Sequence, residues 1–546
     1  MLEFQTHRLP LAILLFIAFW SYFYASGNVQ MDLMEARNLV AAREILQNDN
    51  WLIPTMNGEI RITKPPLPTW FAALTAQSAG ATDELSLLRL PSAIAALLLV
   101  FFTYGLAWTM TRDRAAAFIA AAILASNIMV MKMGHRASWD IFCHMFMLGA
   151  LWAYMLGMLG NRGWPMFALC GGLMGLSFLS KGPVSFYALL LPFLLSYLCI
   201  YRVDPLRQKW RLLLLAAVVA AVISSLWPLY ILNFHPEALL STVQQETDAW
   251  ANRHIQPFWY YLDFPVYSGL WLVVAVAVLI EPFARKRVTS IQQYRFLLLW
   301  LVFDILLLSV IPEKKHRYLL PAMIPLALLC GMLLRGIMLR YSQGLQQRGD
   351  SVVVILHIVL GTVFGVACLG FFFYHLQIVD QRASLFVLVP IIAGYLALVG
   401  GSWIYFRRKN LAGLFALTLL QYCLIIFLYM NYYRDVTITN PDFRVMEQVD
   451  SARLPPEVEI FQLGSWLDIV HVWDLKRRVN RWQTEEVVSL LDNGKTVAII
   501  STGDPRIQLA ELIDRKIVVT TIDWFDYNEK RPSRHKIHLS LVNIAG

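Results

Sequence analysis

Residues 312–338 read PEKKHRYLLPAMIPLALLCGMLLRGIM, with Glu313, Lys314, Lys315 and Arg317 set directly against an apolar run over 317–338. A run of that length matches the roughly 20 apolar residues that a helix needs to cross the hydrocarbon slab of a bilayer. The pattern recurs along the chain. Spans are expected over 10–26, 86–109, 114–133, 138–158, 163–180, 184–201, 211–232, 262–281, 294–311, 317–338, 352–374, 384–405 and 411–431, about thirteen in all. Composition agrees, since 58% of the 546 residues are hydrophobic and only 15% charged, far more apolar than a soluble core requires. The expected fold class is an α-helical polytopic membrane protein.

A net charge of +9 would suggest nucleic acid in a soluble protein. Here Lys and Arg fall mainly between apolar runs, so the basic balance reads as topology, and no nucleic-acid partner is expected. With a cytoplasmic N-terminus, Arg112, Arg114, Arg162, Arg202 to Arg211, Arg285 to Arg287, Arg340, Arg348 and Arg407 to Lys409 all fall in cytoplasmic loops, as the positive-inside rule requires. The first run is read as a retained anchor. The six cysteines lie in apolar runs without metal-ligand spacing and read as packing residues.

An odd number of spans places the tail outside, together with the long segments 28–85 and 233–261. The expected domains are a transmembrane domain over 1–431 and a small outer α/β domain over 432–546, with a short transition at Asn431-Tyr432-Tyr433-Arg434. In the tail, β-like runs at Glu457–Leu463, Thr496–Ser501 and Ile517–Ile522 alternate with a helix-like stretch at Thr484–Leu491.

Once the cytoplasmic charges are assigned, a second basic set stands on the opposite side: Lys64, Lys132, Arg136, Lys181, Arg253, Lys314, Lys315 and Arg317. Several lie within a few residues of a span end, where a cation needs a partner or must snorkel to the interface. An anionic lipid headgroup is such a partner, because Lys and Arg clusters neutralise phosphate oxygens through charge-assisted hydrogen bonds. Snorkelling to ordinary phospholipid is the alternative. Asp140, near the outer end of the fourth span, needs a cation, a metal or a proton, or pairs structurally with Arg136. Asp32 and Glu35, at i and i+3, open an amphipathic surface helix and either do chemistry or cap that helix. Thr63-Lys64-Pro65-Pro66 marks a rigid break suited to fixing Lys64. His144, one turn after Asp140, is weak evidence for a metal.

These residues resemble the lipid-phosphate-dependent GT-C glycosyltransferases, most of all the transferases that move aminoarabinose from undecaprenyl phosphate to lipid A, and more distantly the protein O-mannosyltransferases. The resemblance runs through Glu35-Ala36-Arg37, Arg43-Glu44-Ile45-Leu46, Asn50-Trp51-Leu52-Ile53-Pro54, Lys64-Pro65, Trp139-Asp140, Ser180-Lys181-Gly182, Pro257-Phe258-Trp259-Tyr260-Tyr261 and Tyr318-Leu319-Leu320-Pro321. It implies a GT-C membrane domain of thirteen spans with a periplasmic C-terminal domain, in the bacterial inner membrane with its active site facing the periplasm. It also implies a polyprenyl-phosphate sugar donor and an envelope acceptor, either a glycolipid such as lipid A or a protein, in a setting of membrane lipids. Carried over by position, Lys64 binds the donor phosphate, helped by Lys181, Lys314, Lys315 and Arg317. Glu35 is the first candidate for general base, Asp32 the second, and Asp140 lies at the acidic end of the cavity. Arg37, Arg136, Arg253, His254, Trp259, Tyr260 and Tyr318 are the expected substrate pocket. Two departures stand out: Met34 replaces the Asp of the family's usual Asp-Glu pair, and Thr63 stands where the aminoarabinose transferases tend to carry an acid. No metal ligands are assigned, and a divalent cofactor is left open.

The chemistry suits these residues. Displacement at an anomeric carbon builds negative charge on the departing phosphate, and fixed cations lower that barrier. A hydroxyl acceptor needs a base, whereas an ionised phosphate does not. A single attack inverts the anomeric centre. A transporter or flippase also has many spans and intramembrane charges, but it usually shows repeats or helices broken at the midplane, and the sequence shows neither. A passive scaffold needs no convergent acids and bases.

Overall fold

In a computed structural model of the chain, residues 6–160, 163–202, 204–374, 385–432, 437–449, 453–464, 468–510 and 516–544 are described. Arg162 and the Tyr433-Arg434 step of the expected transition fall outside them. The chain divides into two compact units, one made of Met1–Val29 and Ile62–Asn431, the other of Gln30–Arg61 and Tyr432–Gly546.

The first unit is helical. Among the described residues ten helices are long and apolar enough to cross a membrane, or eleven if the bent pair Arg114–Ala125 and Ile128–Gly134 is one span. The expected thirteen are not reached, for local reasons. The 163–180 run forms Trp164–Lys181, in which Gly171, Gly172, Gly175, Ser177 and Ser180 dilute the apolar residues and Lys181 ends the helix. The 184–201 run is divided between a π-helical turn, Phe186–Leu190, and the short helix Leu191–Ile200 with Pro192 in its first turn. Proline offers no N–H, so it sits where a helix restarts. The glycines have their own use. A Cβ on Gly171 would lie 2.4 Å from the Ala216 carbonyl oxygen and one on Gly175 2.5 Å from Ile223 Cβ, so Trp164–Lys181 meets Trp210–Phe234 backbone to backbone. Small residues allow such close contacts where no water drives helices together.

The 114–133 run bends by 62° between its two helices. Ser126 Oγ donates to the Ala122 carbonyl at 2.7 Å and accepts from Trp271 Nε1 at 2.8 Å. Asn127 Oδ1 accepts from the Met129 and Val130 amides at 2.8 and 3.3 Å. These bonds satisfy backbone and side-chain groups that hydrocarbon cannot. A broken helix is therefore present where the sequence suggested none. Ile291–Val310 carries a second polar exception: Asp304 is fully buried, and neither of its oxygens has a hydrogen-bond partner among the described residues.

The second unit is built on a five-stranded sheet with the order Val479–Arg481, Glu459–Gln462, Val497–Thr502, Ile537–Ile544, Ile517–Phe525. The first three strands are parallel and the last two pair antiparallel. Val497–Thr502, buried except at Thr502, lies at the centre of the sheet, parallel to one neighbour and antiparallel to the other. Phe461, Val487, Leu491, Ile499, Leu509 and Val542 form its core. The α/β tail expected from sequence is thus present, with an addition. Residues 30–61, expected to belong to the transmembrane domain, pack into this unit instead. Leu33–Asn48 is no surface helix, since Glu35 to Ile45 are buried apart from Arg37. Its Arg43 donates to the Val472 and Trp473 carbonyls at 2.8 and 3.1 Å, answering carbonyls at the end of Ile469–Leu475. At the Asn57-Gly58 turn, where both residues have positive φ, the Asn57 side chain exchanges two hydrogen bonds with the Val479 backbone at 2.7 and 2.9 Å.

Candidate functional site: a cation cluster at one end of the membrane unit

Four segments of the first unit converge at one end of the bundle. Lys64 precedes Pro65 and Pro66, which lead into Leu67–Ala79. Asp140 lies in the first turn of Trp139–Leu159, and Lys181 is the last residue of Trp164–Lys181. Arg317 and Tyr318 sit on the 3-10 turn His316–Leu319 that opens the helix Leu320–Ser342. Lys181 Nζ donates to the Asp140 carboxylate, and the two side chains are only 8% and 4% exposed. Lys181 Nζ lies 5.3 Å from the centre of the Tyr318 ring, and the Arg317 guanidinium 5.6 Å from it. Asp140 feels the charges of Lys181 and Arg317, and Lys64 feels those of Lys181 and Asp140. Lys64, Asp140, Lys181, Arg317 and Tyr318, all singled out from sequence, therefore share one electrostatic neighbourhood.

Lys64 has a partner that the sequence did not reveal. Its Nζ is 2.8 Å from Glu246 Oε2 on the helix Pro236–Asn252, with both side chains 25% exposed. Burial draws the Lys64 ammonium below the ordinary lysine range, and Glu246 works in the opposite direction.

Beside this cluster runs a second, built from the two ends of a strap. Ile255 bridges Glu313 in antiparallel fashion, and the Lys314 amide donates to the His254 carbonyl at 3.2 Å, fixing 253–256 against 312–315. Arg253 Nε and Lys315 Nζ both donate to Glu313 Oε1, at 3.2 and 2.8 Å. Burial alone would raise the Glu313 carboxyl, but Lys315, through hydrogen bond and charge, and Arg253 hold it below its usual range. Burial also lowers Lys315 and Lys314. Lys314 spends its ammonium on the backbone, donating to the Ile311 and Gln256 carbonyls at 2.7 and 3.0 Å. Tyr260 stacks on His316 at 4.5 Å, while Trp259 is 68% exposed. His254 and Lys132 are exposed and Arg136 is half-buried.

The proposed acids of the first outer segment are placed differently. Asp32, Glu35 and Arg37 belong to the second unit. Asp32 Oδ1 accepts from the Glu35 amide at 2.8 Å, capping Leu33–Asn48 as the alternative reading had it, and Glu35 is fully buried. Among the described residues no three His, Cys, Asp or Glu side chains group as metal ligands. Sequence reasoning missed Glu246, and it did not give Glu313 a role although that residue stands inside the charged motif. Glu246 sends no local signal, because Glu237 and Asp248 on the same helix look equivalent.

The fold is that of a polytopic membrane protein, and it is similar to the GT-C glycosyltransferases. ArnT from Cupriavidus metallidurans, bound to undecaprenyl phosphate, superimposes with a TM-score of 0.71 at 17% identity, over 98% of each chain. In particular, the sequence is similar to undecaprenyl phosphate-alpha-4-amino-4-deoxy-L-arabinose arabinosyl transferases. That of Yersinia enterocolitica is 30% identical over 54% of this chain and 53% of its own length. The transferase of Pectobacterium atrosepticum is 27% identical over 69% of this chain and 66% of its own. The chain thus spans about half to two thirds of the length of the curated relatives it matches. Residues 63–227, which include Lys64, Asp140 and Lys181, match the family described as dolichyl-phosphate-mannose-protein mannosyltransferase. The resemblance read from the sequence alone is borne out in each comparison.

Proposed function

We propose that this protein is an inverting glycosyltransferase of the bacterial inner membrane. It takes a sugar from a polyprenyl phosphate, in the first instance undecaprenyl phosphate, and passes it to an envelope glycolipid such as lipid A on the periplasmic side. The observation that carries this reading is the convergence of Lys64, Lys181, Arg317 and Tyr318 around one end of the bundle, with Asp140 as their buried counterion. As the glycosidic bond to phosphate breaks, the electron pair leaves with the phosphate oxygen, and cations aimed at that oxygen stabilise the charge as it grows. Lys64 and Arg317 are the groups proposed to meet the phosphate, and Asp140 orients Lys181. Lys314, Lys315 and Arg253 line the approach, with Tyr260, Tyr318 and Trp259 offering aromatic faces to sugar or isoprenoid. A hydroxyl acceptor must give up a proton to a base. An acceptor that arrives as an ionised phosphate needs none.

The relatives' names give an amino sugar on undecaprenyl phosphate as donor, and the resemblance read from the sequence implies lipid A as acceptor, while the match of residues 63–227 to a protein mannosyltransferase family favours a protein acceptor. Mass spectrometry of lipid A, polysaccharide and periplasmic proteins from cells with and without this protein separates the two. A sugar lost from lipid A supports the first reading, one lost from a protein supports the second, and no loss anywhere overturns both.

A further inference from the structure

Lys64 is not held open for a ligand. Its ammonium is paired with Glu246 at 2.8 Å. The helix that supplies Glu246, Pro236–Asn252, has no buried residue among those described, and among them Glu246 makes its one side-chain bond to another element. A lysine as covered as Lys64 needs a counter-charge, because an unpaired ammonium away from water is strongly penalised. A phosphate group on Lys64 would supply that charge in place of the carboxylate.

We propose that Glu246 is a positioning residue that acts through Lys64, holding the ammonium in place between turnovers and exchanging it with the phosphate of the polyprenyl lipid. This rests on the functional reading above. The exchange has a direction. A glycosylated polyprenyl phosphate is a diester with one negative charge, whereas the polyprenyl phosphate left after transfer is a monoester that carries up to two near neutral pH. The product therefore grips Lys64 harder than the donor does. The returning carboxylate offsets this by competing for the same ammonium, so Glu246 speeds product release.

The test is binding of undecaprenyl phosphate to the full-length protein in detergent, for wild type, E246Q, E246D and K64Q, with thermal melting as a check on folding. E246Q is expected to bind about fivefold more tightly, the equivalent of ~1 kcal/mol. E246D, which keeps the charge, should stay near wild type, and K64Q should bind more weakly than all of these. In turnover, E246Q should lower KM for the donor and kcat together, a split that a purely structural role does not produce. If E246Q melts early, the E246D affinity and the turnover split of the folded fraction decide the matter. Wild-type binding that K64Q weakens but E246Q leaves unchanged or weaker overturns the exchange alone. Wild-type protein that does not bind undecaprenyl phosphate at all sinks the functional reading with it.

Discussion

The two ends of the Leu320–Ser342 helix carry clusters of the same residue types, and they are built differently. Near its C-terminal end Asp350 is fully buried and saturated. Arg287 donates to Oδ1, while Arg340 Nε and the Gln347 amide donate to Oδ2 at 3.1 and 2.7 Å. Nearby, Arg335 Nε donates to Asp113 Oδ2 at 2.7 Å, although its buried Nη1 has no hydrogen-bond partner among the described residues. At the N-terminal end, roughly 35 Å away by helical rise, the buried Nε of Arg317 has no hydrogen-bond partner among the described residues. Lys314 there is answered by neutral carbonyls, and Lys64 by a carboxylate on an exposed helix. A closed pair joins helices. Cations answered by carbonyls, or by a carboxylate on an exposed helix, can exchange those partners for an anion.

The largest effect that would break this contrast concerns stability. D350A leaves Arg287 and Arg340 without their carboxylate and is expected to cost about 3–5 kcal/mol, read as a fall in melting temperature, with turnover per folded molecule unchanged. A large loss of turnover at constant stability would mean that this end, too, serves the reaction. Next comes K64A, expected to cut transfer at least ~100-fold while the melting temperature moves by no more than a few degrees. Unaltered turnover would remove Lys64 from the site.

The second unit should carry a pH response of its own. Burial pushes the Asp474 carboxyl up to about 7, against the hydrogen bond that Tyr527 Oη donates at 2.5 Å, and burial takes His471 down to about 4. Between pH 8 and 6.5 the folded unit takes up a proton on Asp474 that the unfolded chain does not, while the unfolded chain's histidine begins to take one up as well, so stability rises by about 0.5 kcal/mol as pH falls. Between pH 6.5 and 4 the unfolded chain's histidine also binds a proton, and the two effects cancel. Hydrogen exchange of the 469–475 helix in the full-length protein should show that gain, and D474N should abolish it. The smallest expected effect compares two exposed tryptophans. W259A should raise KM about threefold, in keeping with one aromatic contact of ~0.6 kcal/mol, whereas W210A, on the far side of the bundle, should not change it.

How much was legible in the linear sequence differs between these regions for physical reasons. Span lengths and the basic loops could be read because lipid enforces a length and a charge bias on each helix separately. Lys64, Lys181 and Arg317 stood out because each lies where the bias disfavours it. Glu246 did not, since an acid on a polar helix face is unremarkable until its partner, far away in sequence, is known. The same limit hid the allegiance of residues 30–61. Arg43 finds the Val472 and Trp473 carbonyls across more than four hundred residues, and no periodicity encodes such a pairing. The bend at Ser126-Asn127 was nearer to view, as Asn is a good cap, but the flanking apolar residues read as one uninterrupted span.

Asp304 has a consequence for biogenesis. A carboxylic acid near the middle of a hydrophobic helix disfavours partition into lipid by about 3 kcal/mol, so Ile291–Val310 is poorly suited to leaving the translocation channel alone. It packs between Leu191–Ile200, already synthesised, and Leu320–Ser342, still to come. With both its oxygens unpartnered among the described residues, Asp304 is kept from lipid by burial alone, so this helix is expected to settle stably in the bilayer once Leu320–Ser342 has packed against it.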